Sequence, residues 1–139
     1  PLRRKYFELL NGNLTLNGVN VPVFSVVPNQ AAFPFVIIDT SSELPSEDKD
    51  TFGVEYIQSI DIVTGYVDGG YGGYADCDLI AGQVKNIVKP SKTTNVFDLG
   101  VDFTNIVTIF ERGNNVIEQT DTHFIVRRIL EFKHIIQEN

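Results

Sequence analysis

VEYIQSIDIVTGYVDGGYGGYADCDLIAGQVKNIV, residues 54–88, changes period once, and that change decides the fold. Val54, Tyr56, Gln58, Ile60, Ile62 and Thr64 share one face of an extended chain. Glu55, Ile57, Ser59, Asp61 and Val63 share the other, and β-branched residues run throughout, so 54–64 reads as a strand. Gly65-Tyr66-Val67-Asp68-Gly69-Gly70-Tyr71-Gly72-Gly73 is expected to break it, because five glycines leave the backbone too free to stay extended. From Tyr74 the apolar residues Cys77, Ile80, Ala81, Val84, Ile87 and Val88 recur at three and four, the stripe of a helix. Asp76 and Asp78 in its first turn and Lys85 and Lys89 near its end suit the helix dipole, and Pro90 stops it. Such a helix needs a sheet to lie on.

The flanking chain supplies one. Leu2, Tyr6, Phe7, Leu9 and Leu10 predict a short amphipathic helix, with Arg3, Arg4 and Lys5 between them. Basic charge at a helix start opposes the dipole, so this helix should be held by docking rather than by propensity. Asn17-Gly18 predicts a tight hairpin between 14–16 and 19–24, and Pro22 confines the second arm to a sheet edge. Phe33-Pro34-Phe35-Val36-Ile37-Ile38 reads as a central strand covered on both faces. Residues 41–51 have almost nothing to bury and predict an exposed loop or extended hairpin tip, mobile in the free protein.

Beyond the main helix, Phe103, Val107 and Ile109 alternate with Ile106 and Phe110, which predicts a strand over 103–112. Gly113-Asn114-Asn115 reads as a hairpin turn with 116–120 as its short return. In the last segment Phe124, Val126, Leu130, Phe132 and Ile136 line one face of a long strand, with Arg127, Glu131 and Lys133 on the other. The expected architecture is a single α+β domain over 1–139, with the 74–88 helix on a mostly antiparallel sheet of 35–40, 54–64, 103–112 and 124–135.

Composition narrows the function classes. The 139 residues carry a formal charge of −7, which argues against a duplex-binding groove and permits a surface past which DNA slides. Cys77 is the one cysteine, so no internal disulfide forms. No apolar run approaches the length of a membrane span and no basic-then-apolar leader is present, so the chain is expected to be cytosolic when made. Pro1 fits removal of an initiator Met before a small residue.

Chemical motifs are scarce. The glycine loop before a helix invites a phosphate-loop reading, but Tyr74-Ala75-Asp76 stands where Gly-Lys-Ser/Thr would be required. Asp76-Cys77-Asp78 points three ways around a helix, which spoils a metal site and makes Cys77 a small buried hydrophobe. His123 and His134 lack zinc spacing and read as surface or interface residues. Asp39 and Asp61 become neighbours if their strands pair, with solvated strand-end carboxylates the commoner reading. Asn13-Leu14-Thr15 matches a glycosylation acceptor with nothing else to indicate secretion. Nothing here calls for a catalytic residue, a metal or a cofactor.

The order of elements is more telling. A short N-terminal helix precedes a hairpin-like stretch ending at 23–27, and Phe33-Pro34-Phe35-Val36-Ile37-Ile38 leads into an acidic excursion. The strand 56–64, the glycine-rich gap, the helix from Tyr74 and the closing strand 123–132 follow. In this the chain resembles, over nearly its whole length, the tail-completion proteins of tailed bacteriophages, the head–tail joining, tail-terminator or neck-ring subunits. The resemblance implies a non-enzymatic α+β subunit that joins identical copies in a ring in the virion neck or tail end. Its other partners would be neck, portal or tail proteins, with DNA as passing cargo and no membrane. Interface or lumen candidates are Glu43, Glu47, Asp48 and Asp50 in the acidic excursion, Tyr71 in the glycine loop, and Arg127 and Arg128 on the last strand. Two other classes fit the composition: a small ligand-binding or enzymatic α+β domain, and a soluble acidic adaptor.

Overall fold

The computed structural model describes residues 2–28, 32–48, 51–67, 74–91, 94–119 and 123–138, and at 44–48, 51–53, 67, 74 and 123 the backbone only. In chain order the elements are α1 (Leu2–Leu10), β1 (Thr15–Leu16), β2 (Val19–Asn20), β3 (Val23–Phe24), β4 (Phe35–Asp48), β5 (Thr51–Val67), α2 (Tyr74–Val88), β6 (Phe103–Gln119) and β7 (His123–Glu138). β1 and β2 make the small hairpin, turning at Asn17 and Gly18 with φ of 52° and 79°, the left-handed pair that a two-residue turn requires. The other strands form one sheet in the order β3-β4-β5-β7-β6, antiparallel except for the β3–β4 edge. The protein is an α+β fold with both helices on one face of that sheet.

The core lies between. Cys77, Ile80, Ala81, Val84 and Val88 of α2 and Leu2, Tyr6 and Leu10 of α1 are buried with Val36, Ile38, Ile60, Ile62, Val126, Leu130 and Phe132 from the sheet. Ile60 sits beside Leu130 and Ile38 beside Ile60, so the alternation of each strand lands on the same face. α1 is held by docking. Its unfavourable N-terminal charge is used elsewhere, with Arg3 donating to the Ile38 and Asp39 carbonyls of β4 and Arg4 pairing with Glu8.

Four readings of the sequence need sharpening or correction. Of the two readings open for 41–51, loop or extended hairpin tip, the structure has the hairpin, its arms paired from Ser41↔Gln58 to Asp48↔Thr51. The segment buries little, but a neighbour already fixed on its far side by β7 supplies the hydrogen-bond ladder. Gly65 does not end β5, which continues to Val67. The Phe33 ring lies over it, so close that a Cβ at 65 would stand 2.5 Å from a ring carbon, and glycine there is a packing choice. Gly113-Asn114-Asn115 is not a turn. β6 runs straight through it, with Gly113 beside Leu130 and Asn115 beside Arg128, because β7 is long enough to pair with all of it.

The fourth correction lies within β6. Register shifts between Asn105 and Val107 and between Phe110 and Arg112 rotate the strand. Its buried residues are therefore the polar Asn105 and Thr108, while Ile106 and Ile109 are exposed.

Candidate assembly surface

The sheet face away from the helices carries Asp61, Arg127 and Glu118, from three adjacent strands. The register sets Glu118 beside Ile125 and Asp61 beside Ile129, which leaves Arg127 between the two carboxylates. Its guanidinium pairs with both Asp61 oxygens and reaches Glu118 at 3.2 Å. Asp61 is fully buried. Burial lifts its carboxyl above the ordinary range and outweighs Arg127, which pulls the other way, while Asp39 and Glu118 add to the rise. Arg127 gains from the same pairing and is held above its ordinary value. Asp61 is thus not the solvated strand-end carboxylate that the alternation suggests. Further along this face, Glu55 pairs with Lys133 at 3.0 Å and Glu131 with Arg112 at 2.8 Å. Ile37, Ile57, Ile129 and Ile135 are only partly buried there, since no described helix covers them.

Arg128 points the other way. One step along β7 it reaches past the sheet to Asp78 on α2, and its Nε is buried without a partner among the described residues. Arg127 and Arg128 are therefore on opposite faces and do not form one basic patch. Asp76 accepts from the Tyr66 hydroxyl at 2.7 Å and Cys77 turns into the core, so the acidic start of α2 diverges as its spacing requires. Asn13 donates to the Leu9 carbonyl and serves as an end cap for α1.

Glu43 is exposed on β4 beside Tyr56, whose phenol is pushed up by burial and by the adjacent carboxylate. Glu47 and Asp48 sit on the same strand near its end, with only their backbone described. Asp50 and Tyr71 lie outside the described residues. The structure does not bring the acidic strand to Arg127 or Arg128, since β5 intervenes.

A second polar cluster was hidden in the sequence. His134, expected at the surface, is fully buried. Its Nδ1 faces the Asn105 Oδ1 at 3.0 Å, an acceptor only, so Nδ1 carries the proton and Nε2 accepts from the Tyr6 hydroxyl. Asn105 donates in turn to Thr108 at 2.9 Å and to Asn95 at 3.0 Å. Burial, with Lys89 adding repulsion, pushes His134 down to about 4, and burial pushes Tyr6 well up, so both are neutral. The cluster ties α1, β6 and β7 together. A lone histidine at an inward position of β7 was the available signal, since Phe132 and Ile136 flank it at the same parity.

Side chains also close parts of the sheet edges. Arg3 covers the β4 carbonyls at 38 and 39, beside the two residues that β3 pairs. At the opposite edge Asn95 donates to the Asn105 carbonyl at 2.6 Å and Lys89 to that of Thr108. The remaining lengths, 41–48 and 109–119, have no neighbouring strand among the described residues. Val116, Ile117, Ile109 and Phe110 are exposed on the second of them.

A chain of a gene transfer agent virion has this fold. The solved structure, described as the virion of a native gene transfer agent particle, contains a chain that superposes with a TM-score of 0.72 at 17% identity. The match covers 98% of this protein and 94% of that chain, so the two share an architecture from end to end. No protein-family model matches the sequence, and no curated protein is similar to it. The virion chain therefore speaks for the fold. Among the described residues no group of three or more His, Cys, Asp or Glu is placed to hold a metal ion. No described helix is long and apolar enough to cross a membrane.

Proposed function

We propose that this protein is a structural subunit of a phage-type virion that joins identical copies in a ring at the neck or tail end, through which DNA passes. The observation that carries the reading is the end-to-end likeness to a chain of a gene transfer agent virion. The role is architectural rather than catalytic. Its partners are copies of itself and the neighbouring neck, portal or tail proteins, first in the host cytoplasm and then in the virion. DNA is cargo. A net charge of −7 per subunit multiplies around a ring, and fixed negative charge lets phosphate pass without the arrest that clustered Lys and Arg would cause. Glu43, Glu47, Asp48 and Asp50 are the proposed lumen residues, being the densest acidic cluster in the chain. Tyr71 and the Arg127 face are proposed subunit contacts, whereas Arg128 is occupied within its own subunit by Asp78.

Sedimentation and negative-stain imaging of the purified chain test this reading. Rings with a central opening are expected, and removal of the chain from a producing cell should leave filled heads without joined or finished tails. A protein that stays monomeric, together with normal particles after its removal, would exclude the reading.

A further inference from the structure

We infer that copies join by strand addition: residues 109–119 of β6 in one subunit pair antiparallel with 41–48 of β4 in the next, making the sheet continuous between subunits. This rests on the ring reading and names the contact that would build it.

The first observation is which edges are open. Among the described residues β4 and β6 border the sheet for much of their length, each covered along only part of it, β4 by β3 and Arg3 and β6 by Asn95 and Lys89. Uncovered strand edges present rows of donors and acceptors to another chain. Exposed Ile109, Phe110, Val116 and Ile117 would lose water on such pairing.

Direction is the second. β4 and β6 run oppositely, because β5 and β7 between them are each antiparallel to their neighbours. Copies related by rotation about an axis, without inversion, would set β6 of one antiparallel to β4 of the next. Repeating that head-to-tail contact closes a ring if the rotation permits.

The third is stagger. Leu44, in the middle of the open β4 half, lies through Glu55 at the height of Ile135, whereas Asn114 in the open β6 half lies at Ile129. Six residues of strand separate those heights, or roughly 20 Å at about 3.3 Å each. From β4 of one copy to β4 of the next is four strand spacings, roughly 19 Å. The implied strand tilt is about 45°, at the upper end of the ~35–45° found where sheets close. The same stagger leaves each copy's side-chain-covered edge halves beyond the reach of its neighbour. The segments the chain closes for itself are those that such a joint would not use.

With Leu44 opposite Asn114, Ser42 falls opposite Val116, and both belong to the sheet face away from the helices. The test is cysteine cross-linking in the full chain. Cys77 is fully buried and gives a silent background. Ser42→Cys and Val116→Cys, made singly and mixed, should give dimers with a short bis-maleimide, and both changes in one chain should give a ladder of multimers. Cross-linking of Val116→Cys or Asn115→Cys alone would show β6 pairing with itself about a twofold and overturn the proposal. Rings seen by negative stain without the mixed cross-link would overturn the joint while the ring reading stood. Cross-linked open filaments would uphold the joint and remove the ring. Absence of any assembly at high concentration, with no cross-link, would end both.

Discussion

Arg127 is the residue on which the exposed sheet face depends. It balances the fully buried Asp61 carboxylate and reaches Glu118 at 3.2 Å. Arg127→Met would leave that carboxylate without its cation, a change expected to cost on the order of 3 kcal/mol. Adding Asp61→Asn should recover most of the loss, because the neutral amide tolerates burial better. Urea unfolding of the two single variants and the double variant measures this. Equal stability of parent and Arg127→Met would mean that the pair contributes nothing. His134 makes a different kind of demand. Its value in the folded protein is about 4, against 6.5 in an unfolded chain, so between these limits the unfolded state binds more protons. The stability it confers is whole above pH 6.5 and falls as pH drops toward 4, by on the order of 3 kcal/mol across that window. Carboxylates titrate there too. The expected result is therefore a difference: His134→Asn should be less stable than the parent at pH 7 and should lose less between pH 6.5 and 4. Parallel pH profiles for the two proteins would show that the imidazole is not responsible.

At the scale of elements, the unusual feature is a strand that continues where its sequence favours a break. β5 carries Gly65 because the Phe33 ring crosses it, stacked on Phe35 with centroids 5.6 Å apart. Gly65→Ala would drive a methyl into the Phe33 ring near its base, where a small rotation does not relieve the contact. The expected cost is roughly 1–3 kcal/mol. Phe33→Ala should make Gly65→Ala nearly neutral, and thermal melts of the double cycle would report it. A single Gly65→Ala that melts with the parent would place the ring elsewhere in solution. The same logic explains β6. Its register shifts turn polar Asn105 and Thr108 inward to satisfy His134, at the cost of exposing Ile106 and Ile109. An element whose amphipathic pattern is out of phase with its burial is governed by its partners.

For the whole molecule, the acidic charge is the property with a direct consequence. Glu47, Asp48 and Asp50, near neighbours in the sequence where β4 gives way to β5, would confront phosphates if that end of the sheet lines a channel. Their repulsion would reach about 8 Å at physiological salt. Replacing all three with Lys is expected to leave folding intact, since their stretch of sequence has almost nothing to bury and surface charges contribute little. It should create salt-sensitive DNA retention by the assembled particle or slow ejection. Assembly and DNA release are measured on the same particles. Particles that form and release DNA normally would take these side chains out of the channel, and particles that fail to form would show that the side chains, and not only the β4 backbone of the inferred joint, are needed for contact between subunits.

How much of this was legible beforehand follows from range. The 54–64 alternation, the Cys77-to-Val88 stripe, the Asn17-Gly18 turn and the inward face of the last strand are local patterns with periods of two and 3.6 residues, and the structure has them. They were enough for an α+β fold with a helix on a mostly antiparallel sheet. The pairing of Asp61 with Arg127 spans 66 residues and that of Tyr6 with His134 spans 128, so each needed a strand register that no local pattern encodes. For the same reason 113–115 was misread as a turn, and 41–48 stayed open between loop and extended hairpin. Their polar side chains favour loop, but a long neighbour offers a complete ladder, and backbone groups pair wherever one is available. Local chemistry determined the elements; tertiary contact decided where they end, which charges are buried and which edges remain open, because those depend on what lies alongside.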